Sequence, residues 1–212
     1  MKKKFDFIYW FFAIVPFIMS ACFYNKLPEQ VAVHFDANWV ANGYQSRLFA
    51  AFGLPAILLA VAVLVHFAVK ADPKHKNIER SKGALFVSKW FIVIIANFVQ
   101  ASVILNAVAT IKFNMSIIMG VVVGILLAVI GNYLPKCKQN YTVGIKVPWT
   151  LSDEENWTKT HRLAGYIWTV CGIIFAITAF FPNPIINISL FTIMIVVPIA
   201  YSFILYLNKK KV

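Results

Sequence analysis

Acidic side chains are nearly missing from this sequence: 8 Asp and Glu stand against 20 Lys and Arg in 212 residues. Within the long apolar runs only Asp6 is acidic, at the entrance to the first. A carboxylate inside the bilayer is the usual mark of a proton or sodium pathway, so this scarcity argues against a coupled transporter. Cysteine is scarce as well. Cys22, Cys137 and Cys171 form no CxxC pair, which leaves neither a disulfide framework nor a cysteine-based zinc site. Charged residues make up 13% of the chain, well under the ~25% of an ordinary soluble domain. Low-complexity tracts are absent, and no repeat relates the two halves of the chain.

What fills the sequence instead is hydrocarbon, with 60% hydrophobic and 16% aromatic residues. Six apolar runs stand out: Phe5–Tyr24, Leu48–Val69, Phe86–Ile111, Met115–Leu134, Leu163–Phe181 and Ile185–Leu207. Each is near the ~20 residues that a helix needs to cross the bilayer core. Barrel strands would alternate, and these runs do not. The expected fold is therefore an all-α membrane protein with six transmembrane helices. Lys26, Arg47 and Lys112 fall on one side of that layout and every other basic residue on the opposite side. The positive-inside rule then places both termini in the cytoplasm, with one ordered extracellular loop and one long cytoplasmic loop. The net charge of +12 mostly records this topology and favours contact with anionic membrane lipids, with no direct nucleic acid partner implied. By chain order, residues 1–70 hold the first two helices and the outer loop module (24–47), and residues 71–212 hold the other four helices with the polar loop region (131–165).

The start of the chain, Lys2–Lys4 followed by an apolar stretch and "MSAC", loosely resembles a lipoprotein signal ending at Cys22. Its many aromatics, Pro16 and Met19 favour a retained anchor. In the third span Asn97 and Gln100 are placed to hydrogen-bond between helices. His66 and Lys89, near cytoplasmic helix ends, are expected to snorkel. Gly120, Gly124 and Ala128 in the fourth span, and Gly165, Thr169, Gly172 and Ala176 in the fifth, form small-residue faces suited to close helix contact.

Most connecting segments, including the basic turn Lys70–Leu85, read as too short for structure of their own. Two loops carry information. In the outer loop Val31, Val33 and Phe35 alternate with Ala32 and His34 as in a short strand, and Asn42-Gly43 is turn chemistry. His34 has no second ligand at useful spacing, so no metal is expected.

The polar passage Asn140–Gly165 changes period midway. From Tyr141 to Trp149 apolar residues alternate with Thr142, Gly144, Lys146 and Pro148, which reads as an extended segment open to strand addition by a partner. Ser152 to Glu155 reads as a capping box at the start of the next helix, with Glu155 and Lys159 as an i,i+4 pair. His161 has no activated nucleophile, HExxH or phosphate loop beside it, so no catalysis, cofactor or metal is expected.

The residues Gly131-Asn132, Asn140, Gly144-Ile145-Lys146, Pro148-Trp149-Thr150-Leu151, Trp157, Thr160-His161-Arg162 and Gly165 resemble, in order and spacing, the signature of the SdpI family of bacterial immunity membrane proteins. Leu27-Pro28, Val31, His34-Phe35, Asp36, Asn38, Gly43 and Tyr44 resemble the module that commonly precedes it; Ala32, Trp39, Val40, Ala41 and Val147 depart from the family pattern. The resemblance implies six helices, a place in the bacterial cell membrane, and protection against an SDP-like peptide toxin that collapses the membrane potential. It also implies recruitment of a cytoplasmic ArsR-type repressor. By that likeness the outer loop, with His34, Phe35, Asp36, Asn38, Trp39 and Tyr44, would face toxin. The inner passage would dock the repressor through Asn132, Asn140, Gly144, Lys146 and Pro148 together with Trp149, Thr150, Trp157, His161 and Arg162. The alternative is a small transporter or lipid-interacting membrane protein with no toxin partner.

Overall fold

The structure, a computed structural model, describes residues 2–35, 41–108, 114–181 and 183–210. Among the described residues, six helices are long and apolar enough to cross a membrane. They are α1 (Lys2–Phe23), α2 (Leu54–Ala71), α4 (Lys82–Val108), α5 (Met115–Tyr133), α7 (Glu154–Thr178) and α8 (Pro184–Lys210). Two short helices lie between them: α3 (His75–Arg80) and α6 (Pro148–Ser152). The turn expected to be featureless, Lys70–Leu85, thus contains a helical turn. Ile78 is buried beneath it, and Ser81 closes its end by donating backbone N–H to Asn77 and Ile78 carbonyls.

Packing divides the chain into two compact units, one of Met1–His66 with Lys89–Ser116, the other of Phe67–Ser88 with Ile117–Val212. This grouping follows contacts in space, whereas a division at residue 70 follows chain order.

In the first unit, polar groups on apolar helices meet each other, as hydrocarbon would demand. Asn97 donates to the Phe12 carbonyl at 2.8 Å, and the fully buried Gln100 donates to Ser20 Oγ at 2.8 Å and the Ala50 carbonyl at 3.1 Å. Pro16 leaves α1 unbroken, and Ser20 donates its hydroxyl to the Pro16 carbonyl at 2.9 Å. Tyr9, Ala13, Ala62 and Val93 form the core. His66 does not snorkel. It is buried with ring contacts to Tyr9 and Trp10, centroids 6.4 and 5.2 Å away, because aromatic faces accommodate its ring.

Between α1 and α2 a β-hairpin forms, with β1 (Gln30–Phe35) antiparallel to β2 (Ala41–Ser46). The alternation in β1 is realised: Val31 is buried against Leu27, Ala50, Ala51 and Val103. The second strand differs from the turn expected there, since Asn42-Gly43 lies inside β2, with Gly43 opposite His34 at a register irregularity. A Cβ on Gly43 would come within 2.8 Å of His34 Cβ, so only glycine lets the strands close at that point. The hairpin passes through a π-helical turn, Phe49–Gly53, into α2.

In the second unit the small-residue faces meet directly. A Cβ on Gly124 would lie 2.5 Å from Ala176 N, and one on Gly172 would lie 2.5 Å from Ala128 N. α7 is tied to α8 by Trp168 Nε1 donating to the Met194 carbonyl at 2.9 Å, and by Asn156, which donates to the Ser202 carbonyl and accepts from its hydroxyl, both at 2.9 Å.

Candidate functional site

The polar passage of the second unit is not an extended ribbon. Its backbone turns back under itself, and the reason is visible in which side chains capture which amides. Asn140, 1% exposed, accepts from Thr142 N at 2.8 Å and Val143 N at 2.6 Å, while its own amide donates to the carbonyls of Lys138 (2.8 Å) and Val143 (3.0 Å). One side chain thus closes a loop of four residues. Gly144 follows in the left-handed region, φ 121°, where an added Cβ would run into His161 Nε2 and the Trp157 ring.

His161 fixes the next step. Its Nδ1 lies 2.8 Å from the Trp157 carbonyl, which can only accept, and its Nε2 lies 2.9 Å from the Ile145 amide, which can only donate. The ring is therefore the neutral tautomer with hydrogen on Nδ1. Trp157 stacks on it at 3.9 Å and donates Nε1–H to the Cys137 carbonyl at 2.8 Å. Thr150 hydroxyl accepts Val147 N at 3.1 Å and starts α6, with Pro148 at its first turn.

The passage is anchored from the α2–α3 connection. Asp72, 5% exposed, accepts from Lys74 N and Tyr141 N at 2.8 Å each and from the Thr142 hydroxyl at 2.6 Å. Gln139 donates to the carbonyls of Thr150 (2.7 Å) and Leu151 (3.0 Å) and accepts from the Lys74 ammonium. Asn77 donates to the Gln139 carbonyl at 2.9 Å, and Lys138 N donates to Ser81 Oγ at 2.8 Å. None of Asp72, Gln139 or Ser81 stands out in the sequence. Their only signal is that polar groups in a short basic turn need partners, and the turn's own residues are too few to supply them.

These captured amides overturn the strand-addition reading. Tyr141, Thr142, Val143, Ile145 and Val147 have already given their N–H groups to side chains, so the edge carrying residues 141, 143, 145 and 147 offers no free amide to a partner strand. The capping assignment shifts as well. Ser152 ends α6 and donates to the Trp149 carbonyl at 3.4 Å; the N-cap of α7 is Asp153, accepting Glu155 N at 3.0 Å. The extra helical turn that Pro148 starts uses up Ser152. Lys209 reaches Asp153 at 2.9 Å, and this ammonium holds the Asp153 carboxyl below its ordinary value. The Glu155–Lys159 pair is present at 2.8 Å.

The structure sorts the expected site residues by exposure. Asn140, Thr150, Trp157 and His161 are inside, and Gly144 lies against them. Lys146, Pro148 and Arg162 are exposed; Trp149 is half-buried against Phe203 and Tyr206. Asn132 is exposed near the end of α5, apart from this cluster. On the hairpin, His34 donates Nδ1–H to Asn42 Oδ1 at 2.6 Å, Tyr44 is exposed and Phe35 half-buried, while Asp36, Asn38 and Trp39 lie outside the described residues. Among the described residues no three His, Cys, Asp or Glu side chains gather as a metal site would need.

The folded passage 137–152, with the α2–α3 connection that anchors it, forms a cap on the second unit, and Cys137 reports on the whole of it. Burial pushes its thiol up to about 11, and its sulfur accepts from the Asn140 amide at 3.3 Å. Since the thiolate is the nucleophile, Cys137 is expected to resist maleimide at neutral pH in folded protein and to react fully once denatured. Rapid labelling of Cys137 in the native state, read by peptide mass spectrometry, would contradict the buried cap.

The model of the SdpI/YfhL protein family matches residues 136–207, from the cap through α8. A second model, DUF1648, a domain of unknown function, matches residues 11–59, which include the hairpin. The chain is 27% identical over 195 residues to Immunity protein SdpI of Bacillus subtilis (strain 168), covering 92% of this chain and 91% of that protein. No solved structure matches. The residues that build the buried cap, Asn140, Gly144, Thr150, Trp157 and His161, all fall in the segment that matches the SdpI/YfhL family model, so what this multipass membrane protein shares with that family is centred on the cap and its following helices, within a similarity to Immunity protein SdpI that runs along nearly the whole chain.

Proposed function

We propose that the chain is a membrane immunity protein that protects the cell carrying it from an SDP-like peptide toxin by binding rather than by catalysis. The observation that carries this reading is the similarity to Immunity protein SdpI along nearly the entire length, hairpin module and cap included. In this proposal both termini are cytoplasmic, the hairpin faces outward toward the toxin, and the cap faces the cytoplasm. The distribution of basic residues supports that orientation.

The toxin-facing surface would be the outward face of the hairpin, to which His34 and Tyr44 contribute exposed side chains. An ArsR-type repressor, where one is present, would dock on the cap's exposed residues Lys146 and Pro148, with the buried members of the signature holding that surface in shape.

Two measurements test this. Expressed in a toxin-sensitive bacterium lacking its own immunity gene, the chain should restore growth under SDP-like peptide; growth no better than vector alone, at confirmed membrane expression, sinks the immunity reading. For orientation, in a Cys22→Ser background, Gln45→Cys should react with an impermeant thiol reagent in intact cells and Lys146→Cys only after lysis. The reverse pattern would exchange the two faces and with them the roles of hairpin and cap.

A further inference from the structure

The close approach of α5 and α7 leaves a groove along their shared seam. It is lined by Ile125, Ala128, Val129 and Asn132 on one side and by Ile173, Ala176 and Ile177 on the other, with a volume of about 370 Å³. Its floor is shallow side chains because Gly124 and Gly172 bring the two backbones into contact there; its rims are isoleucine and valine side chains that stay exposed. Both walls belong to membrane-length helices, so the medium that meets the groove is lipid.

The groove is not apolar to its end. Asn132 is exposed, and its side chain makes no hydrogen bond to another described residue. The helices run antiparallel here, Gly131 lying beside Thr169 and Gly165 beside Pro135. Continuing past Asn132, the stripe of α7 that carries Ile177 and Ile173 arrives at Tyr166 and then Arg162, at helical spacings of seven and four residues, and both are exposed. An apolar slot therefore leads to an amide, a phenol and a guanidinium at the membrane boundary.

We propose that this groove is a binding site for one anionic phospholipid, with an acyl chain along the α5–α7 seam and the phosphate held by Arg162, assisted by Asn132 and Tyr166. Size favours an acyl chain over a helix from a second copy: a helix 10–12 Å wide over the same length occupies on the order of 1,000 Å³, so it would seat only a ridge of side chains. Charge favours an anionic headgroup, since the side chain on this stripe that is charged at neutral pH is Arg162 and guanidinium pairs with phosphate in a fork. The site would place a lipid against the contact between α5 and α7.

Delipidated full-length protein in mild detergent, titrated with dioleoyl phosphatidylglycerol or dioleoyl phosphatidylcholine and read by native mass spectrometry, tests this. Wild type should bind one phosphatidylglycerol about fivefold more tightly than phosphatidylcholine, the ratio that one basic residue near a headgroup supports. Arg162→Gln should erase that preference and leave the weaker binding. Ile173→Trp, whose side chain points outward into the groove, should weaken both lipids without lowering the melting temperature; Val129→Phe fills the slot from the other wall should the first variant fail to fold. Inorganic phosphate should not compete. Equal binding by wild type and groove-filled variants would reduce the lipid to a nonspecific annulus and overturn the proposal. So would a protein dimer that either groove-filling variant dissociates, because a second copy would then be the occupant.

Discussion

Gly172→Leu is expected to unfold the second unit, while Val170→Leu, two residues earlier on α7, leaves it intact. At Gly172 even a Cβ would meet Ala128 N at 2.5 Å and the Gly124 carbonyl oxygen at 2.7 Å. Those are backbone atoms of α5, and no rotamer change moves them aside. The helices must separate by the width of the side chain, which breaks the seam from Gly120 to Gly131 and strains the 3₁₀ turn Leu134–Lys136 where α5 enters the cap. Overpacking a close contact costs typically 1–3 kcal/mol and more where backbone resists, so a loss of about 3 kcal/mol or more is expected. Val170 is 56% exposed, and a change there should stay within about 0.5 kcal/mol. Thermal unfolding of the purified proteins in one detergent, followed by near-ultraviolet circular dichroism, compares them. A Gly172→Leu protein that melts with wild type would show that α5 and α7 are not in backbone contact.

That seam is also where the sequence was most readable. Glycine and alanine at four-residue spacing on two apolar helices have few uses other than close approach, and they meet as their pattern implies. The six spans were equally legible, since length and hydrocarbon content decide them with little help from tertiary context. Asn97 and Gln100 followed from the same logic: in an apolar environment an amide must find a partner, and the nearest are on neighbouring helices.

The cap was misread because its pattern has two physical causes that look alike in one dimension. Alternation from Tyr141 to Trp149 usually means a strand with one buried edge. Here the chain carrying that alternation is bent, because Asn140 takes the consecutive amides of Thr142 and Val143 and His161 takes that of Ile145, with Gly144 supplying the positive φ between them. Local period cannot distinguish amides paired to a neighbouring strand from amides paired to side chains 16 residues away, as Ile145 is to His161. The same limit hid Asp72, whose partners in the passage, Tyr141 and Thr142, are 69 and 70 residues distant in the chain. Ser152 lost the capping role to Asp153 for a smaller reason: both are good N-caps, and the choice was made by Pro148 starting an extra turn upstream. The hairpin's second strand was hidden by Asn42-Gly43, which reads as a turn but is needed where the strand crosses His34.

Asn140→Ala separates the buried frame of the cap from its exposed surface. The substitution leaves the Thr142 and Val143 amides without partners at a site 1% exposed, and leaves the Lys138 and Val143 carbonyls only the weak Cys137 thiol donor, at 3.7 and 3.4 Å. Each orphaned buried group costs about 1–3 kcal/mol, and because water can enter once the loop opens, the net loss should be about 3 kcal/mol rather than the sum. The loop from Cys137 to Gly144 should then detach, taking with it the cover over Cys137, whose sulfur the Asn140 amide contacts. Maleimide labelling of Cys137, silent in wild type, should appear at neutral pH, with Cys22→Ser introduced to remove the exposed thiol. Lys146→Ala, on the exposed side of the same loop, should leave Cys137 protected and the melting temperature within a degree or two of wild type. If Asn140→Ala keeps Cys137 silent and melts normally, the loop is held by something other than that side chain. If instead Asn140→Ala opens the cap and Lys146→Ala does not, partner docking can be assigned through Lys146 without the confounding loss of structure that any buried member of the signature would bring, because only an exposed residue can lose a partner and keep its fold.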